Sequence, residues 1–78
     1  MIKVKIYNYF GLVTQDTVQA FNNLDAMYQA MHEKGFFRYY DAKVSKVIKE
    51  DKYLVDMISI KQLDIRNKFI VEFEAIKN

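Results

Sequence analysis

Cysteine, proline and tryptophan are absent from this chain, and glycine and histidine occur only twice and once. Without cysteine there is no disulfide framework, no thiolate metal site and no thiol nucleophile, so nothing in the composition points to an oxidising compartment. Gly11 and Gly35 stand too far apart to form a phosphate-cradling loop. No apolar run approaches the roughly 20 residues that a membrane-spanning helix needs. The opening Met1-Ile2-Lys3-Val4-Lys5-Ile6 sets lysines inside its apolar stretch, unlike a signal peptide. The expectation is therefore a cytoplasmic chain with no membrane partner. Charge of one sign is scarce as well: 12 basic against 10 acidic groups leave +2, too little to name a partner.

Apolar side chains, by contrast, are abundant. They make up 51% of 78 residues, more than one small domain can bury. Part of that content is expected at a surface that meets a second copy or another partner.

Ile2 to Tyr7 alternate strictly, the signature of a strand with one buried face. Ile2, Val4 and Ile6, continued by Phe10, point one way; Lys3, Lys5, Tyr7 and Tyr9 point the other. The β-branched and aromatic stretch from Thr17 to Phe21 predicts a short second strand, returning as a hairpin. Asn22-Asn23-Leu24-Asp25 reads as a helix start, with Asn23 as cap and Asp25 at the positive end of the dipole. Leu24, Met27, Tyr28 and Met31 recur at helical spacing, and Gly35 closes the element, which spans about residues 24–34. Phe36 to Lys49 predicts one long strand with a bulge. After the polar break at Glu50-Asp51-Lys52, Tyr53 to Ile60 is a strand apolar on both parities. A second break from Gln62 to Asn67 precedes a last strand, in which Phe69, Val71, Phe73 and Ala75 alternate with Ile70, Glu72, Glu74 and Ile76.

The order β-β-α-β-β-β predicts a single small α+β domain over residues 1–78, a mostly antiparallel sheet of about five strands with one helix packed on one face. Ile2, Val4, Ile6, Phe69, Val71 and Phe73 are expected to form its core with Leu24, Met27 and Met31. Tyr53, Val55 and Met57 are assigned to the opposite, open face.

Catalytic patterns are missing from the sequence. His32, near the helix end, has no second histidine or cysteine to share a metal with. Ser45 and Ser59 lack the flanking glycines of a nucleophile elbow. A non-enzymatic chain with no cofactor and no metal is expected. The contact set proposed from the residues is Lys3, Lys5, Tyr7 and Tyr9 on one strand face, with Phe37, Arg38, Tyr39, Tyr40 and Lys43 from the middle of the chain. Tyrosine supplies the large amphipathic body favoured at protein interfaces, so a protein partner and a homodimer are the leading expectation. Lysines beside aromatics also suit single-stranded nucleic acid, the alternative. Ile, Lys, Asn, Phe and Tyr supply 35 of the 78 residues, a bias similar in style to translation of an AT-rich gene. Small domains without catalytic motifs are common phage and plasmid products. The specific expectation is an inhibitor of a host defence complex, of the anti-CRISPR type.

Overall fold

Strict alternation at the start of the chain produces strand β1 (Ile2–Asn8), and Gly11, at φ +127°, lets the chain reverse into β2 (Gly11–Val18). These elements belong to a computed structural model that describes residues 1–77. Helix α1 (Asn23–Glu33) follows. Its cap is Asn22, one residue before the expected Asn23, because the Asn22 side chain accepts from the Asp25 N–H at 2.8 Å. Asn23 instead donates its Nδ2 to the Glu50 carbonyl at 3.1 Å, tying the helix start to a hairpin turn. Gly35 ends the helix in the left-handed region at φ +80°, as its position predicted.

The segment after Gly35 departs from expectation. Phe36–Arg38 forms a short 3-10 turn, and the strand begins only at Tyr40, as β3 (Tyr40–Lys49). Apolar residues on both parities serve a turn here, since Phe36 and Phe37 pack in different directions. Phe36 meets Phe69 edge-on at 6.2 Å between ring centroids, and Phe37 meets Tyr28 of the helix at 6.0 Å. Strands β4 (Lys52–Ser59) and β5 (Arg66–Ala75) complete the chain. The sheet order is β2-β1-β5-β4-β3, and every pairing is antiparallel. The expected bulge in β3 is present, with register shifts between Val44 and Lys46 and between Val47 and Lys49. The helix lies on one face of this five-stranded sheet, so the predicted α+β architecture is the one observed.

The core joins Val4, Ile6, Val18, Val55, Met57, Val71 and Phe73 of the sheet to Ala26, Met27, Ala30 and Met31 of the helix. Leu24 does not belong to it and stays 43% exposed. Ala26 and Ala30, both fully buried, join Met27 and Met31 on the helix side of the core instead. Val55 stands opposite Phe69, and Tyr53 opposite Val71. Directly opposed residues share a face, so Tyr53, Val55 and Met57 lie under the helix, and the open face carries Leu54 and Ile58 instead. Phe10, expected on the buried face of β1, sits in the β1–β2 turn and is 92% exposed. The second strand runs over residues 11–18 rather than 17–21, and Phe21 projects into solvent.

One carboxylate pair sits at the rim of the core. Asp16, opposite Val4 and therefore on the helix side, meets Glu33 at the end of α1. Its hydrogen bond with Asp16 holds the Glu33 carboxyl above its ordinary value of 4.5, with burial and the Asp16 charge adding to the rise and Lys34 and His32 opposing it. A raised acid binds its proton more tightly in the folded chain, so its contribution is fully present below 4.5 and is lost as pH rises through the elevated value. Glu33→Gln keeps a donor toward Asp16 and removes the repulsion. Its melting temperature should exceed that of the parent near neutral pH, with the gain vanishing in acid; a constant gain at all pH values would contradict this pairing.

Candidate interaction surface

Helix α1 leaves the second face of the sheet uncovered, and register arranges that face in rows. Leu12, Tyr7, Ile70 and Leu54 are successive cross-strand neighbours on β2, β1, β5 and β4, forming an apolar stripe that runs across the strands to Lys46 on β3. On one side lies the row Gln15–Lys5–Glu72–Lys52, followed by Thr17–Lys3–Glu74. On the other lies Lys68–Asp56–Lys43, in which Lys68 and Asp56 form an ion pair. Most lysines of the face thus stand beside a carboxylate. The Glu72 carboxylate accepts from the Tyr7 hydroxyl, and this hydrogen bond, reinforced by burial and the Glu72 charge, pushes the phenol above its usual range.

The same end of the sheet gathers the β1–β2 turn, the start of β3 and the β4–β5 loop. Tyr9, Phe10, Tyr39, Ile60, Leu63 and Ile65 are all exposed there, beside both arginines, Arg38 and Arg66. A groove of about 600 Å³ opens between the β1–β2 turn and β5, lined by Tyr9, Phe10, Tyr40, Leu54, Arg66 and Phe69 among others. A smaller depression of about 310 Å³ lies next to it, between Arg38, Tyr39, Tyr40 and Lys61. Tyr40 lines both.

The nine residues proposed from the sequence divide among these regions. Lys3, Lys5, Tyr7 and Lys43 lie on the open face. Tyr9, Arg38, Tyr39 and Tyr40 lie at the loop end. Phe37 is half-buried against Tyr28 and props the helix rather than the surface. The sequence reading passed over Leu12, Leu54, Ile70, Arg66 and Phe10. A signal for Ile70 was available, as the one apolar residue on a parity otherwise filled by Lys68, Glu72 and Glu74.

No family model matches this chain, and no curated protein or solved structure is detectably similar to it. Among the described residues, no group of three or more His, Asp or Glu could hold a metal ion, and no helix is long and apolar enough to cross a membrane.

Proposed function

We propose that this chain is a non-enzymatic, cytoplasmic protein-binding module that engages its partner through the open sheet face and the aromatic loop end. One observation carries the reading: the stripe Leu12–Tyr7–Ile70–Leu54 continues toward the Tyr9–Phe10 turn and its groove without a covering element. Apolar surface framed by charge is the composition of a protein contact, with an apolar centre and a polar rim. The specific form of the proposal is an inhibitor encoded by a phage or plasmid that occupies a host defence complex, as anti-CRISPR proteins do. Its support is the compositional bias of the chain together with a contact surface that needs no reactive centre. Affinity capture from a lysate of the native cell, with and without nuclease, tests the partner class. A partner retained after nuclease supports the reading, and one lost with nucleic acid overturns it.

Self-association through β2 is part of the same proposal. The outer strand β3 carries Lys43, Lys46 and Lys49 and two register shifts, the features that protect a sheet edge from pairing. The other outer strand, β2, has one register shift, at Val13, but no lysine or arginine and a single charge, Asp16. Antiparallel pairing of β2 with its copy about a two-fold axis would join two sheets. Light scattering on a size-exclusion column reads the outcome directly, and a monomer at high micromolar concentration would sink the dimer.

A single-stranded nucleic-acid module is the second reading, favoured by Arg38, Tyr39, Tyr40 and Lys61 around one depression. It draws less support from the strand face, where Lys3, Lys5 and Lys43 each stand across from a carboxylate that would repel a phosphate. Phosphate contacts would make affinity fall steeply with salt, so absence of oligonucleotide binding at low salt retires it.

A further inference from the structure

The floor of the large groove is a strand edge left open by unequal strand lengths. Pairing of β1 with β5 ends at Tyr7 opposite Ile70, whereas β5 pairs with β4 as far back as Arg66. Among the described residues, 66–69 of β5 therefore have a strand neighbour on one side only, over about 13 Å at ~3.3 Å per residue. Peptide groups alternate direction along a strand. The Phe73 N–H donates to the Asp51 carbonyl on the β4 side, and the Ile76 N–H donates to Met1 on the β1 side. By that alternation the N–H and C=O of Lys68, and of Arg66 at the strand start, face the side that β1 has vacated. Asn8 turns the chain away there, with its side chain accepting from the Phe10 N–H at 2.8 Å, and Tyr9 and Phe10 wall the gap.

We infer that this notch receives an extended peptide segment of the protein partner, added as a short antiparallel strand, with acidic and apolar side chains in alternation. The inference rests on the protein-binding reading and names the chemistry of the bound segment. Register supplies the alternation. Partner residues opposite Arg66 and Lys68 fall on the open face beside those cations, and partner residues opposite Asn67 and Phe69 fall on the helix side, against the Phe69 ring. Among the described residues Arg66 has no carboxylate within ion-pairing distance, while Lys68 already shares Asp56. Strand addition takes its affinity from the free main-chain groups and its specificity from the alternate side chains.

Two measurements test this. In the free protein, amide hydrogen exchange should be fast at Lys68 and slow at Phe69 and Ile70, whose N–H groups point into the β4 and β1 ladders. Protection at Lys68 equal to its neighbours would overturn the open edge. For binding, the probes are short end-blocked peptides alternating glutamate with valine, and their lysine–valine counterparts. The acidic peptide should bind at least tenfold more tightly at low salt, shifting the amide resonances of residues 66–69. N-methylation of its glutamate amides should abolish binding, whereas N-methylation of its valine amides should not. Equal affinity for the two peptides, or shifts centred elsewhere, would overturn the notch. Tyr7 lies outside the groove lining, so loss of the captured partner in Tyr7→Ala, with the peptides failing, would overturn the notch alone and leave the open-face reading standing.

Discussion

Met57→Ala should lower the stability of the fold by about 3 kcal/mol, whereas Ile58→Ala, one residue further along β4, should lower it by about 1 kcal/mol. The difference is a matter of face. Met57 is fully buried beneath the helix, opposite Ala42 on β3 and Asn67 on β5. Truncation there removes the transfer free energy of its side chain and leaves a cavity that a two-layer domain can only partly close. Ile58 is half-buried on the open face, where solvent fills the space its side chain leaves. A domain of 78 residues has a total stability of about 4–12 kcal/mol, so the first substitution consumes a large share and the second a small one. Urea denaturation checks both, with the midpoint falling and the slope unchanged. A larger loss at Ile58 would mean that β4 presents the opposite parity to the helix, and equal losses that both of its faces are covered alike.

That parity is where sequence and structure part company. Residues 53–60 are apolar on both parities, so alternation within the strand does not choose a side. The choice is made by β5, whose Glu72 and Glu74 can face only solvent and whose pairing then carries Tyr53, Val55 and Met57 under the helix. Elements with a one-sided pattern were legible: β1 from Ile2, Val4 and Ile6, β5 from Phe69, Val71 and Phe73, and α1 from Met27, Met31 and the closing Gly35. The run from Phe36 to Tyr40 was not legible as a turn, because its aromatics pack against two different partners, Phe69 and Tyr28, that are distant in sequence. The candidate surface follows the same division. Lys3, Lys5 and Tyr7 could be placed on one strand face from alternation alone. The stripe and the open edge depend on which strands are neighbours and where each pairing stops, and neither is written in any single segment.

Leu54→Glu should reduce affinity for the protein partner by about 30-fold or more, the effect of losing a central contact worth about 2 kcal/mol. Leu54 ends the apolar stripe and also lines the groove, so it joins the two parts of the proposed surface. A carboxylate there stands directly across from Lys46, and each flanking row offers one cation beside one carboxylate, Lys52 with Glu72 and Lys68 with Asp56. The folded chain therefore gains one directly opposed cation, Lys46, where it loses a half-exposed side chain, and its melting temperature should change little. The partner, in contrast, meets a charge at a position it would have to desolvate without a counter-ion. Tyr7→Ala removes the next-but-one member of the stripe, together with the hydroxyl held by Glu72, and should weaken the same contact. Binding isotherms on the captured partner, read beside the melting curves, separate surface from scaffold. Unchanged affinity in both variants at unchanged stability would mean that the open face is solvent surface.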